Sequence, residues 1–189
     1  YWRVNGNAKS AINGKWINSP GRILLNKLKK DLGSIYLPII AEDLGVITAD
    51  VENLRKKFDL PGMKILQFAF DGNEDNPYLP KNIEGENWVV YTGTHDNSTS
   101  FSWWASLDNE SKTRIKNEYK FSENPSWSLI EIGMDTNANL FITPIQDILS
   151  LDDSGRLNKP GTTKNNWKWK LNQSLEEIEE NIKFFSELG

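Results

Sequence analysis

The stretch "YLPIIAEDLGVIT", Tyr36–Thr48, sets two adjacent carboxylates, Glu42 and Asp43, directly after an unbroken apolar run. Leu37-Pro38-Ile39-Ile40-Ala41 reads as a short strand buried on both faces, the pattern of a parallel sheet. Acids beside such a strand lose solvation and need a compensating partner. Either they serve the structure of the loop, or they stand at the mouth of a cleft where chemistry wants a carboxylate.

A second stretch has the same form. "WVVYT" over 88–92 is another buried strand, and it runs into Gly93-Thr94-His95-Asp96-Asn97. Around these two, helical and extended patterns alternate. Ile23, Leu24, Leu25, Leu28 and Leu32 recur at helical spacing between Pro20 and Gly33. Gly45 turns the chain, and Thr48 can cap a helix over 49–58 with Asp50 and Glu52 near its positive end. After the Pro61-Gly62 break, "MKILQFAF" (63–70) predicts a strand. Residues 71–87, rich in Gly, Asn, Asp and Pro, predict a long surface loop, and loops of that length are commonly functional or disordered. Helices are predicted over 99–107, 109–119 and 127–134, a strand over 139–143, and a helical turn after Pro144. A Gly/Asn/Lys-rich loop spans 152–166. Ser174 and Glu177 form a capping box, and Leu175, Ile178, Ile182 and Phe185 then make an apolar stripe running to Gly189. There is no internal repeat.

Strands alternating with helices imply an α/β architecture with parallel strands. In a (β/α)8 barrel the active site gathers at the C-terminal ends of the strands. Both acid-bearing motifs, "AEDLG" and "THDN", fall at such ends.

Composition narrows the function. The chain has 189 residues and a net charge of −4, with acids and bases interleaved and no basic block, so nucleic acid and anionic membranes are not the expected partners. No apolar run approaches the roughly 18 residues that span a bilayer. The absence of cysteine excludes a disulfide framework and thiolate metal sites, and suits a reducing compartment, the cytoplasm. The chain opens "YWRVNGNAKS", with neither Met nor a leader, as a chain beginning inside a domain would. Eight tryptophans serve either core packing or sugar binding, where an indole offers a flat apolar face.

Carboxylates at strand ends suit glycoside chemistry. An acid of raised pKa protonates the leaving oxygen, while a second carboxylate about 5 Å away attacks the anomeric carbon in retaining enzymes. Partial burial would fit Glu42, flanked by Ile40, Ala41 and Leu44, for the proton-donating role. Its alternative is a loop acid bonded to the Gly45 turn. Of the two neighbours, Asp43 is the better structural candidate. His95, the single histidine, is either a satisfied structural residue or, between Thr94 and Asp96 at a strand end, a functional one. One histidine cannot build a zinc site, so no metal is expected. No P-loop, G-x-G-x-x-G or G-x-S-x-G occurs, and no cofactor is expected.

"AINGKWINSPG", "IIAEDLGVIT", "LPGMKILQFAFDG", "VVYTGTHDN" and "NWKWKL", in this order and spacing, resemble the C-terminal part of the 4-α-glucanotransferases, the amylomaltase or disproportionating-enzyme family. The resemblance covers essentially the whole chain. It implies a retaining, α-amylase-like (β/α)8 barrel that moves segments of α-1,4-glucan to the 4-hydroxyl of another sugar. Malto-oligosaccharides and α-1,4-glucans are then the partners. Carried over position by position, Glu42 of "AEDLG" is the acid/base and Asp96 of "THDN" the transition-state stabiliser. His95 resembles the family's sugar-binding histidine, and Asp71 and Asn166 fall in segments lining the donor cleft. The family's nucleophile is an Asp in an "R-x-D-H-F-R-G" motif, which does not occur here. The whole chain, 1–189, is therefore expected to be the C-terminal portion of one catalytic barrel, lacking the N-terminal strands and the nucleophile strand. Alone it is expected to be inactive. An α-amylase-type hydrolase or a branching enzyme would use equivalent carboxylates. A non-catalytic glycan-binding module would have no need of Glu42 and Asp96 at strand ends.

Overall fold

The computed structural model describes residues 1–45 and 47–188. Val46, inside the first quoted motif, and Gly189, where the predicted stripe ends, lie outside them. The chain divides into two compact units, Tyr1–Leu60 and Pro61–Gly189.

In the first unit, β1 (Trp2–Arg3) pairs antiparallel with β2 (Lys15–Trp16), Trp2 opposite Trp16. The two indoles meet edge to face at 5.5 Å, and Trp16 is 77% exposed, so this pair stabilises a hairpin and not a core. Helix α1 (Gly21–Leu32) ends on Gly33 in the left-handed region (φ 60°), where its amide bonds the last carbonyls. Helix α2 (Ala49–Lys57) starts after Thr48, which makes no side-chain cap, so Asp50 and Glu52 carry the N-terminal complementarity.

The predicted strand over 37–41 is not formed. Leu37 is buried with Phe58 and Leu60 against Leu25, Leu28 and Leu54, but Ile40 is exposed. Ile39 N donates to Leu37 O at 2.8 Å, a local turn in place of a ladder. An apolar run records a demand for burial, whereas a strand needs a partner's backbone. Among the described residues none pairs with this segment.

The second unit holds a parallel sheet in the order β3-β4-β5. Its strands are β3 (Gly62–Ile65), β4 (Trp88–Tyr91) and β5 (Leu140–Ile142). Ile65 pairs with Tyr91, and Tyr91 with Ile142, so all three C-terminal ends lie on one side. β3 is shorter than the predicted 63–70. At Leu66 it tightens into a 3-10 turn over Leu66–Phe68, although Gln67 N still donates to Thr92 O at 3.3 Å.

The crossover from β4 to β5 carries α3 (Ser100–Ser106), α4 (Asn109–Tyr119) and α5 (Pro125–Met134). Leu66, Val90, Ile115 and Leu129 form the core beneath the sheet, with Phe70, Phe121, Trp103 and Trp104 packed around them. The predicted 71–87 loop is tied to that core by buried Leu79 and Ile83, and Asn76 Nδ2 donates to Phe68 O at 2.8 Å. After β5, α6 (Ile145–Ile148) is the helical turn expected beyond Pro144.

The last helix, α7 (Leu175–Leu188), begins with the predicted capping box in both directions. Ser174 N donates to Glu177 Oε2 at 2.6 Å, and Glu177 N to Ser174 Oγ at 3.3 Å. The face it buries is rotated from the predicted stripe. Ile178 is buried, and Phe185 and Leu188 pack on Trp127, Ile130 and Ile148, while Leu175 and Ile182 are exposed. Asn181 completes the inward row by donating to Ile148 O at 3.4 Å. No helix among the described residues is long and apolar enough to cross a membrane.

Candidate active site

Acids and amides converge at the C-terminal end of β4. Thr94 N and Thr94 Oγ1 both donate to Asn97 Oδ1, at 2.9 and 2.8 Å, and Asn97 N returns a bond to Thr94 O at 3.1 Å. The turn so closed projects His95 and Asp96 outward, each about half exposed. A Cβ at Gly93 would sit 2.6 Å from Gln67 Nε2, so a larger residue there must displace the Gln67 amide. That amide in turn donates to Ser98 O at 3.0 Å, locking the end of β3 to the turn.

Beneath the turn lies an acid that the sequence reading missed. Asp147, on α6, is 1% exposed. Its Oδ1 accepts from Ser100 N at 2.7 Å. Its Oδ2 accepts from Thr92 Oγ1 at 2.6 Å and Ser100 Oγ at 2.7 Å. Burial pushes its pKa up, against the opposing pull of these three bonds. The carboxylate ties the end of β4 to the start of α3 and holds the turn from below. An acid flanked by Ile145, Gln146 and Ile148 in a predicted helical turn was the available signal.

The loop that follows α6 reaches Asp96. Asn158 Nδ2 donates to Asp96 Oδ1 at 2.6 Å, and His95 Nε2 stands 3.3 Å from the same oxygen. Arg156 Nη2 donates to Asp96 O at 2.7 Å. The Trp167 ring lies 5.0 Å from the His95 ring at 38°, and Trp167 itself adopts φ 59°. A bulky residue in the left-handed region is strained, and such strain gathers at functional sites. Asn166 makes its hydrogen bonds within its own loop and none to His95 or Asp96. It braces the loop, accepting from Lys159 N at 3.1 Å and donating to Thr162 O at 3.0 Å.

Asp71 follows β3 on the same side of the sheet, and its hydrogen bonds go to its own loop, not to the His95–Asp96 pair. Its Oδ1 accepts from Asn73 N at 2.9 Å. That amide, with the Asn76 side chain, holds its pKa below the ordinary carboxylate value.

In the first unit the neighbouring acids separate by role. Asp43 Oδ2 lies 3.3 Å from Arg55 Nε, and both side chains are largely buried. Arg55 Nη1 also donates to Leu60 O at 2.9 Å. Asp43 is thus the structural member of the pair. Glu42 is exposed, so the partial burial expected around it is not present among the described residues. Of its apolar neighbours, Ile40 is also exposed, while Ala41 and Leu44 are half-buried. No group of three His, Asp or Glu side chains gathers at metal-ligand spacing among the described residues.

The family model for 4-alpha-glucanotransferase matches residues 1–176. The chain belongs to the 4-alpha-glucanotransferase family. It is 46% identical over 92% of its length to the chloroplastic/amyloplastic 4-alpha-glucanotransferase of Arabidopsis thaliana, covering 30% of that protein. It is 43% identical over its full length to the 4-alpha-glucanotransferase of Synechocystis sp., covering 38% of it. The fold matches the amylomaltase of Streptococcus agalactiae, solved in complex with acarbose, at a TM-score of 0.90 and 33% identity. That match covers all of this chain and 38% of the amylomaltase. The chain thus spans about a third of the length of these relatives. Its fold is α/β, a C-terminal portion of the amylomaltase-type (β/α)8 barrel.

Proposed function

We propose that the full-length protein containing this chain is a 4-α-glucanotransferase. It moves segments of α-1,4-glucan to the 4-hydroxyl of an acceptor glucose or glucan by retaining double displacement. The observation that carries this reading is the family match over residues 1–176, which includes the turn holding His95 and Asp96. Residues 1–189 are then part of one catalytic barrel, with the attacking carboxylate supplied by an earlier segment of the full-length polypeptide.

Within that reading Glu42 is the acid/base. It protonates the glycosidic oxygen as the first sugar leaves, then takes the proton from the acceptor hydroxyl. Its exposure leaves it open to a substrate oxygen. Asp96 stabilises the positive charge that develops at the anomeric carbon, where a fixed carboxylate counts most in the transition state. His95 and Asn166 contact sugar hydroxyls, and Asp71 does the same from the β3 side. Trp167, tilted against His95, offers an exposed indole face to a sugar ring. The acarbose bound by the Streptococcus agalactiae amylomaltase supports a malto-oligosaccharide-like ligand here. The cytoplasm is the proposed location, although the Arabidopsis thaliana relative is a plastid protein.

Incubating the full-length enzyme with maltotriose tests this reading. A transferase releases glucose and builds longer oligomers. A hydrolase of the α-amylase type would give mainly glucose and maltose, a branching enzyme would introduce new branch linkages in longer glucans, and a binding module would leave the trisaccharide intact.

A further inference from the structure

The contact between Asn158 and Asp96 is built with more structure than a solvated surface acid requires. The two residues are 62 positions apart, and their side chains meet at 2.6 Å. Asn158 N donates to His95 O at 3.1 Å, placing the two backbones side by side. Arg156 then binds both strands of this junction: Nη2 donates to Asp96 O at 2.7 Å and Nε to Asn158 O at 2.8 Å. Its Nη1 donates to Ser98 Oγ at 2.9 Å, beyond the turn. Further along, Trp167 N donates to Leu157 O at 2.7 Å and closes the base of the loop.

The Asp96 side chain is about half exposed, so water alone would solvate its charge. What water does not supply is a fixed orientation. We propose that Asn158 is a positioning residue for the reaction: it pins Asp96 Oδ1, so that the second carboxylate oxygen is presented to the positive charge developing on the substrate. This inference rests on the stabilising role proposed above for Asp96. An amide fits that task better than a cation, since it orients the carboxylate without cancelling the charge the transition state needs. Two titratable or charged side chains stand against Asp96 among the described residues. His95 Nε2 lies 3.3 Å from Oδ1, and Arg156 engages the backbone carbonyl while its Nη1 stands 3.4 Å from Asp153 Oδ2.

The test compares Asn158→Ala, Asn158→Asp and Asp96→Asn with wild type in the full-length enzyme. Maltotriose transfer is followed as kcat and KM across pH, with a thermal melt for each variant. Asn158→Ala removes one charge-assisted bond and is expected to lower kcat by roughly ten- to a hundredfold while KM changes little. Asn158→Asp keeps the shape and sets two carboxylates at hydrogen-bond distance, where they share a proton. The acidic limb of its kcat/KM profile is expected to move to higher pH by about one unit or more. A merely structural Asn158 would shift the melt and leave that limb in place. Wild-type kcat in Asn158→Ala, or an unmoved limb in Asn158→Asp, overturns the inference while a dead Asp96→Asn leaves the proposed function standing. Full activity in Asp96→Asn, or no transfer by wild type, overturns both.

Discussion

Removing the Asp147 carboxylate measures how the end of β4 is held. Asp147→Ala leaves three buried donors without their acceptor: Thr92 Oγ1, Ser100 N and Ser100 Oγ. The Thr92 hydroxyl can turn to Thr143 Oγ1, already 3.1 Å away. Ser100 is fully buried, and both of its donors lose their acceptor. An orphaned buried polar group costs about 1–3 kcal/mol, so two give about 2–6 kcal/mol. Against this, the variant also sheds a carboxylate whose own burial is unfavourable, as its raised pKa records. The net expectation is a loss of about 2–4 kcal/mol.

Asp147→Asn should cost far less. Its oxygen can still accept from Ser100 N, and its NH2 can donate to a hydroxyl that rotates. The two variants also differ in pH dependence. The native pKa lies above the unfolded one, so the folded state binds the extra proton. Asp147 therefore favours folding fully below the unfolded carboxylate value and loses that contribution as pH rises through the raised native value. Wild type should accordingly gain on Asp147→Asn as pH is lowered through this window. The assay is urea unfolding of the full-length enzyme at several pH values, with hydrogen exchange at the Ser100 amide as a local probe. An Asp147→Ala variant within about 0.5 kcal/mol of wild type and an unchanged Ser100 exchange rate would refute the argument.

Four further outcomes are expected. Glu42→Gln should remove most transfer from maltotriose yet keep activity on a glycosyl fluoride, whose leaving group needs no proton; equal loss on both donors counts against the acid role. Asp96→Asn should lower kcat by several orders of magnitude with a smaller effect on binding, read from steady-state kinetics and a separate titration with acarbose. Gly133→Ala should destabilise by about 1–3 kcal/mol despite the roughly 1 kcal/mol that helix propensity favours alanine, because the new methyl would overlap the Phe141 ring; a raised melting temperature would contradict this packing. Arg55→Ala should cost about 3 kcal/mol, since it breaks the largely buried pair with Asp43 and the bond to Leu60 O, and a neutral result in denaturant unfolding would show that neither contact is needed.

The elements legible in the sequence are those whose signals are local. β4 is an apolar run closed by Gly93, and its neighbours are also β strands, so the run's demand for burial and its need for pairing are met together. The α7 start was readable because both partners of the capping box lie three residues apart. The Leu37–Ala41 run failed for the opposite reason: hydrophobicity reports burial, and no described backbone pairs with it. The α7 stripe is rotated from the apolar period: its inward row includes Asn181, which meets a carbonyl of α6 in a polar contact that such a period cannot anticipate.

The site divides along the same line. "THDN" could be read because the whole turn closes on itself within four residues, through Thr94 and Asn97. What holds that turn in place could not. Asp147 reaches Thr92 across 55 positions, and Asn158 reaches Asp96 across 62. In a parallel sheet each strand end is separated from the next by a whole crossover, so groups adjacent in space at the C-terminal edge are remote in sequence. His95 and Asp96, both proposed for the reaction, sit on one short turn, while the groups that hold them arrive from neighbouring crossovers. Arg156 illustrates the consequence. As one of 22 basic residues it carries no distinguishing signal in the sequence. In the fold its guanidinium joins Asp96, Ser98 and Asn158, and so fixes the distance on which the orientation of the carboxylate depends.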